Sequence, residues 1–236
     1  SISGIAQDGG ADDWDVDVSI PSGEDGTLGL DLSSVSGVTD DAGNPLASSG
    51  SSTNRNVDTQ APSPTGVSLD TGSVSGPKDT SIDYDVTFDE TVGNLDTTDF
   101  SLATTGSASG NVDSVSSGGS GSSFTVTVDS LAGDGDVRLD LTTGNIEDPA
   151  GNALTGGLNG DTHTANIQAP SATVTLPGAA ENSPSVTYSV DFGEDVNNVD
   201  TGDFAFFLDS GSGSGSVTNV SGSGTPGVYD VTVSSI

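Results

Sequence analysis

Apolar and polar residues alternate along several short stretches of this chain. In residues 81–88 every second position is apolar, at Ile82, Tyr84, Val86 and Phe88. The same period of two runs through residues 123–129 and 136–141. Alternation with β-branched and aromatic residues on one side is typical of a half-buried β-strand. No run of good helix formers shows a 3.6-residue period, so the pattern predicts an all-β protein.

A short phrase occurs twice in nearly the same form. Residues 39–46 read TDDAGNPL and residues 147–154 read EDPAGNAL, so the second copy begins 108 positions after the first. A longer segment also repeats, since SIDYDVTFDETV at 81–92 matches PSVTYSVDFGEDV at 184–196. Self-similarity at a fixed period is the signature of a repeat architecture.

The matches place corresponding residues side by side. Glu90 aligns with Glu194, and because LDTTDF at 95–100 matches VDTGDF at 199–204, Asp96 aligns with Asp200. In the other direction, DVRLDL at 136–141 matches TLGLDL at 27–32.

With a period near 108, the chain divides into three parts. Residues 1–61 are predicted to be the C-terminal half of a repeat, 62–169 a complete repeat, and 170–236 the N-terminal half of a third. Residues 2–20 and 217–236 then represent the same part of the repeat. A polymer in which the tail of one chain completes the head of the next would not need that redundancy. We therefore interpret the two ends as an arbitrary cut from a longer protein.

About seven strands are predicted for the complete repeat, and we label them A to G in chain order. They lie at roughly 65–70, 80–88, 99–103, 110–115, 123–130, 136–142 and 161–167. Gly, Ser, Asn and Asp separate them at intervals typical of a sandwich. The predicted fold is a tandem series of immunoglobulin-like β-sandwiches. Trp14, Phe124 and Tyr229 share one position of strand E in the three copies, and all three are predicted to pack in a core.

Composition raises disorder as an alternative. Apolar residues make up 31% of the 236 positions, and 35 acidic residues face 3 basic ones, for a net charge of −32. Acidic chains this poor in apolar residues often stay unfolded. The alternation favours folded strands, because a disordered chain has no face to bury.

The charge excludes two classes of partner. Nucleic-acid binding and attachment to an anionic membrane surface both need cationic side chains. No stretch reaches 18 apolar residues, so no membrane insertion is predicted. Without cysteine there is neither a disulfide nor a thiolate metal site. The acidity suits high salt or divalent cations, and we expect both.

Four motifs, in order, resemble a known family. They are DTQAP at 58–62, FDETV at 88–92, DTTDF at 96–100 and DPAGNAL at 148–154. Together they resemble the bacterial immunoglobulin-like repeats of giant surface and adhesin proteins, over essentially the whole chain. The resemblance implies secretion, a cell-surface or extracellular location, long arrays and calcium at domain junctions. The expected partners are neighbouring repeats of the same chain and other copies in a filament or surface layer.

In a sandwich of this topology, the linker that enters the complete repeat (DTQAP, 58–62) lies at one pole. The B–C loop, between strands B and C, and the F–G loop, between strands F and G, lie at the same pole. The predicted ligands of the first junction are Asp58, Glu90, Asp96, Asp148 and Asn152. An oxygen-rich set suits calcium, which takes six to eight oxygen ligands, better than a transition metal. By correspondence, Glu194 and Asp200 are predicted ligands at the second junction, where Asn166 stands in place of Asp58.

Turn chemistry alone is the alternative interpretation of the same residues. Asp and Asn stabilise turns by bonding their own backbone, and DPAGN is a good turn sequence. Asp96 and Asp99 are also expected to cap a short helical turn before strand C. Glu24 and Asp25 approach the first linker, where they are either outer ligands of the metal or, as we interpret them, solvated turn residues.

Two classes of function remain. The first is a non-enzymatic structural segment, such as a surface stalk, an adhesin spacer or a filament. The alternative is an adhesive module that recognises a carbohydrate or a partner surface through its loops, for which the doubled aromatic Phe206–Phe207 is the only sequence signal. No residue pattern supports an enzyme, because His163 has no triad partners and is expected to be an exposed strand residue.

Overall fold

The computed structural model describes residues 1–10, 12–117, 121–176, 178 and 183–234. Strand makes up 47% of the structure and helix 3%, so the predicted all-β class is confirmed. The chain forms two compact units, Ser1–Ile167 and Gln168–Ile236. Among the described residues no helix is long and apolar enough to cross a membrane. The predicted D–E connection at 116–123 falls partly on residues 118–120, which lie outside the described residues.

The first 61 residues form three separate two-stranded sheets. Their strands are β1 (Ile2–Gln7), β2 (Trp14–Val18), β3 (Asp25–Leu28), β4 (Asp31–Leu32), β5 (Gly50–Ser51) and β6 (Arg55–Asp58). The pairs are β1 with β2, β3 with β6, and β4 with β5. The core position predicted for Trp14 is wrong, because this side chain is 61% exposed. Within the described residues β1 and β2 pair only with each other.

Residues 62–167 form a complete two-layer sandwich. Its strands are β7 (Pro64–Leu69), β8 (Ile82–Phe88), β9 (Phe100–Thr104), β10 (Ser109–Ser117), β11 (Ser123–Ala132), β12 (Asp134–Leu141) and β13 (Leu158–Asn166). They are the seven strands that the alternation predicts, with ends displaced by a few residues. One antiparallel sheet has the order β10-β11-β8-β7 and the other the order β13-β12-β9. With β7–β13 labelled A–G in chain order, one sheet contains strands A, B, E and D and the other strands C, F and G, the same grouping that is found in immunoglobulin-like sandwiches.

Alternate residues of both sheets build the core between them. Fully buried members include Ile82, Tyr84, Val86, Val126, Val137 and Leu139. The Tyr84 hydroxyl joins the two layers by donating to the backbone oxygens of Val137 and Asp161, 3.3 and 3.1 Å away. The rings of Phe88 and Phe124 meet edge to face with centroids 5.9 Å apart.

His163 is buried, with 5% of its surface exposed, so the prediction of an exposed strand residue is wrong. It alternates along β13 with exposed residues and lies on the same inward-facing side as Ala165. Its Nε2 atom is buried and has no hydrogen-bond partner within the described part of the chain. The strand pattern decides its burial, and His163 simply occupies an inward position.

The second unit contains one four-stranded sheet. Its strands are β14 (Thr173–Thr175), β15 (Ser185–Asp191), β16 (Ser216–Gly222) and β17 (Val228–Ser234), in the order β14-β15-β17-β16. This order repeats β7-β8-β11-β10. The register is equivalent too, because Val190 lies opposite Tyr229 as Val86 lies opposite Phe124. Phe192 and Tyr229 also meet edge to face, with centroids 5.8 Å apart.

A candidate metal centre

Three carboxylates from three separate loops meet in the first unit. Asp58 ends β6, Glu90 follows β8, and Asp148 lies between β12 and β13. One carboxylate oxygen from each lies within 4.8 Å of the others, and together they could hold a metal ion. The structure therefore brings the linker, the B–C loop and the F–G loop to one place.

Backbone contacts hold the B–C and F–G loops together. Gly93 forms an isolated antiparallel bridge with Glu147, and its amide donates to the Glu147 carbonyl over 2.8 Å. The side chain of Asn94 donates from Nδ2 to Glu147 Oε1 at 3.1 Å. Asn94 adopts a left-handed backbone, with φ of 62°, which Asn tolerates better than most residues. These contacts fix the loop positions next to Glu90 and Asp148.

Asp148 shapes its own loop. Its Oδ1 accepts from the amides of Ala150 and Asn152 at 2.8 and 2.9 Å. Gly151 adopts φ of 91° in this turn, a conformation that glycine adopts without strain. Burial acts to raise the pKa of Asp148, but the hydrogen bonds from Asn152, Ala150 and Gly151 outweigh it, and the pKa lies below its ordinary value. Asp148 is therefore held as a carboxylate although it is 4% exposed.

The first copy of the phrase makes the same turn. Asp40 Oδ1 accepts from the amides of Ala42 and Asn44 at 3.0 and 2.7 Å, and Asp40 Oδ2 accepts from Asn44 Nδ2 at 2.8 Å. These bonds lower the pKa of Asp40. No metal-competent group of described residues includes Asp40. The turn is thus common to both copies, whereas the cluster found among the described residues includes Asp148 and not Asp40.

Asn152 links two members of the cluster. Its Nδ2 donates to Asp148 Oδ2 at 2.8 Å and to Asp58 Oδ1 at 3.3 Å. It also donates to the Asp58 backbone oxygen at 3.3 Å. The F–G loop therefore contacts the linker directly through this amide.

Of the three carboxylates, Glu90 has the surroundings that least favour its charged form. Its Oε1 atom is buried and has no hydrogen-bond partner among the described residues. Burial, and after it the charges of Asp148, Asp58, Asp89 and Asp25, raise the pKa of Glu90 above its ordinary value. Among the described residues the one ion pair joins Arg138 to Asp140, so no described basic side chain forms an ion pair with the cluster.

Asp25 is a further acidic neighbour. It lies directly opposite Asp58 in the β3–β6 ladder. A hydrogen bond shared with Asp58, followed by desolvation and the charges of Asp58 and Asp148, raises the pKa of Asp25. The sequence signal was its proximity to the linker, and its interpretation as a solvated turn residue missed the contact with Asp58.

The donor set suits a hard divalent cation. Carboxylate oxygens are ligands that calcium prefers, and calcium tolerates irregular loop geometry. The unpartnered Glu90 Oε1 supplies an acceptor that no protein donor satisfies. A cleft of about 900 Å³, whose lining includes Asp58, Glu90 and Pro149, opens beside the cluster and gives an ion and its water ligands a way in.

The remaining predicted ligands lie elsewhere. Asp96 caps the three-residue 3₁₀ turn Thr97–Asp99 in a capping box with Asp99. Asp200 caps the turn Thr201–Asp203 in the same way. Neither belongs to a metal-competent group of described residues, and the same holds for Glu194. The expected capping role of Asp96 is confirmed, and a ligand role for Asp96, Glu194 or Asp200 stays a prediction.

No protein-family model and no curated protein matches this sequence. Among solved structures, domains 4–9 of the surface layer protein SbsC show a weak likeness, with a TM-score of 0.28 and 14% sequence identity. The alignment covers 98% of this chain and 37% of that one. A TM-score this low does not establish a common fold, and we base no argument on it.

Proposed function

We propose that this chain is a non-enzymatic structural segment of a long extracellular repeat protein, stiffened by calcium where one repeat meets the next. In this proposal residues 1–61, 62–169 and 170–236 belong to successive repeats, and Asp58 lies at the first junction. The segment acts as a stalk, a spacer or part of a filament at the cell surface, and its partners are neighbouring repeats.

One observation carries the proposal. Asp58, Glu90 and Asp148 come from three loops and place carboxylate oxygens within 4.8 Å of one another. Holding three carboxylates this close without an ion pair costs free energy, and a bound divalent cation would offset that cost. Because the cluster joins the linker to two loops of the complete sandwich, a bound ion would also restrain the angle between repeats.

Isothermal titration with calcium tests the proposal through a matched pair of variants. Asp148→Ala and Asp40→Ala remove the same three turn-forming hydrogen bonds, but only Asp148 belongs to the cluster. We expect the unaltered chain to bind with a dissociation constant of about 10⁻⁴–10⁻³ M, as extracellular calcium modules do. Asp148→Ala should abolish this binding and Asp40→Ala should leave it unchanged. Equal binding by both variants, or no binding by the unaltered chain, would contradict the proposal.

A further inference from the structure

A single Asn-x-Ser/Thr triplet occurs in the 236 residues, at Asn219, Val220 and Ser221. This triplet, with any residue but proline in the middle, is the acceptor sequence for N-linked glycans. No other asparagine of the chain is followed by Ser or Thr two residues later. Neither the turn chemistry nor the metal cluster involves these three residues.

The triplet lies in β16, and its asparagine is on the outward face of the sheet. Asn219 and Ser221 are exposed, whereas Val217 and Val220 are partly buried. Asn219 Nδ2 donates a hydrogen bond to Ser221 Oγ over 3.3 Å. The hydroxyl that the acceptor sequence requires therefore lies beside the acceptor nitrogen.

The complete sandwich shows that this position is accessible in a whole repeat. β16 repeats the register of β10, including a register shift just before Asn219 in one strand and just before Ser114 in the other. Ser114 is exposed, although β9, β12 and β13 cover the opposite face of its sheet. A covering sheet packs on the inward face, so it leaves the outward position of Asn219 open.

The edge of β16 is also poorly protected by its own residues. Within the described part of the chain, β10 and β16 each pair on one side only. Free edges can pair with a strand of another molecule, and proteins hinder this with charged residues and bulges. β10 has the charge of Asp113 and two register shifts, whereas β16 has the neutral Thr218 at the equivalent position, one register shift and no charged residue.

We propose that Asn219 carries an N-linked glycan that covers the outer edge of β16. The inference rests on the proposed extracellular location, because N-linked glycans mark the surface of secreted proteins. A bulky hydrophilic group at this position keeps another strand from pairing with the edge, as the charge of Asp113 does in β10.

The reaction is a glycosyl transfer whose donor is an oligosaccharide linked through phosphate to a polyisoprenyl lipid. Asn219 Nδ2 forms a bond to C1 of the first sugar and loses one proton. The bond between C1 and the phosphate oxygen breaks, and the lipid phosphate leaves with the bonding electron pair. The residue opposite Asn219 is Thr232, and the exposed residues beside it on the strand are Thr218 and Ser221. No large side chain of the strand pair therefore shields the amide.

Peptide mass spectrometry of the protein recovered from its own cells is the first test. We expect a glycan on Asn219 and none on Asn111, which is exposed on β10 but is followed by Val112 and Asp113. Protein that is recovered from the cell surface with Asn219 unmodified would overturn the glycan and leave the proposed function standing. Protein found only inside the cells would overturn both. Calcium plays no part in this measurement, so its result is separate from the calcium titration.

Secretion of the 236-residue chain from a host that attaches N-linked glycans tests the acceptor sequence with matched variants. Ser221→Ala should abolish the modification, and Ser221→Thr should retain it because the hydroxyl is kept. Ser221 is exposed, so neither change should disturb the fold. Asp113→Ser creates the same triplet at Asn111 and should add a second glycan.

The intact mass before and after treatment with peptide N-glycosidase counts the glycans in each variant. The unaltered chain should lose one glycan, Asp113→Ser two and Ser221→Ala none. Modification at Asn111 of Asp113→Ser without modification at Asn219 would overturn the proposal, because the host then recognises an edge strand of this fold and passes over β16. Equal modification of Ser221→Ala and the unaltered chain would overturn it as well.

Discussion

Replacing Glu90 with Gln should move stability in opposite directions with and without calcium. The change removes one charge from the cluster and keeps the size of the side chain. In chelator the new amide no longer repels Asp58 and Asp148 and can donate to them, so the folded state should gain stability. With calcium the variant lacks one anionic ligand, so it should lose the stabilisation that the ion provides.

The geometry gives the size of the effect. Across 4.8 Å, two unit charges repel by about 1 kcal/mol in bulk water and about 3 kcal/mol at an effective dielectric constant of about 20. Solvent screening at the partly exposed Asp58 lowers the gain for Glu90→Gln in chelator to about 1–2 kcal/mol. For a unit of this size each kcal/mol shifts the melting temperature by about 2–4 °C, so the expected rise is about 2–8 °C.

The loss in calcium follows from mass action. At a calcium concentration a hundredfold above the dissociation constant, binding stabilises the folded state by about 2.7 kcal/mol, equivalent to about 5–11 °C. The unaltered chain should show this rise, and Glu90→Gln should show little of it. Glu90→Gln should therefore melt at a higher temperature than the unaltered chain in chelator and at a lower temperature in calcium.

Differential scanning calorimetry at fixed high monovalent salt measures both shifts. Asp41→Asn serves as the control, because Asp41 is an exposed carboxylate outside the cluster and its loss should not change the response to calcium. The reasoning is refuted if Glu90→Gln lowers the melting temperature in chelator, or if the melting temperature of the unaltered chain does not respond to calcium.

Four other outcomes are expected. Asn152→Asp adds a carboxylate to the cluster, so titration should show tighter calcium binding and calorimetry a lower melting temperature in chelator. Tyr84→Phe removes the hydroxyl that joins the two sheets and should lower the free energy of unfolding, measured with denaturant, by about 1 kcal/mol. The Tyr188 hydroxyl has no hydrogen bond within the described part of the chain, so Tyr188→Phe should change this free energy little. His163→Leu should leave that free energy unchanged or raise it, since it removes a buried nitrogen without a partner. The folded state raises the pKa of Glu90, so the stability that Glu90 contributes is present below the ordinary Glu pKa and is lost as pH rises through the folded pKa. Urea unfolding in chelator at a series of pH values across this range should show that the free energy of unfolding depends less on pH in Glu90→Gln than in the unaltered chain.

Much of the fold could be predicted from local pattern. The period-two alternation in residues 81–88, 123–129 and 136–141 marks three strands that the structure contains at nearly the same bounds. The prediction succeeds because successive side chains of a strand point to opposite faces, so a strand with one buried face shows an apolar residue at every second position. The same rule shows why His163 was misjudged: its neighbours, not its own polarity, place it on the inward face.

The candidate site could be predicted only in part. The sequence shows which residues can carry a carboxylate or shape a turn, and the repeat shows which loops share a pole. It gives Asp40 and Asp148 the same turn, and the structure agrees for both. It places Asp58, Glu90 and Asp96 alike beside Asp148. It cannot separate Asp58 and Glu90, whose carboxylates meet that of Asp148, from Asp96, which lies in a capping box, since both arrangements use an acidic residue in a polar loop.

The sequence by itself determined the strand pattern, the internal repeat, the acidic surface and the turn chemistry of the repeated phrase, because each depends on neighbours within a few residues or on composition. Only the tertiary structure decided which of the acids predicted at one pole meet, and which apolar side chains are buried. Glu90 and Asp148 meet although four strands, β9 to β12, separate them along the chain. Trp14 and Phe124 occupy the same position of the repeat, but Trp14 is exposed and Phe124 is buried. Distances between loops and the presence of a covering sheet are properties of the packed chain, and no local pattern encodes them.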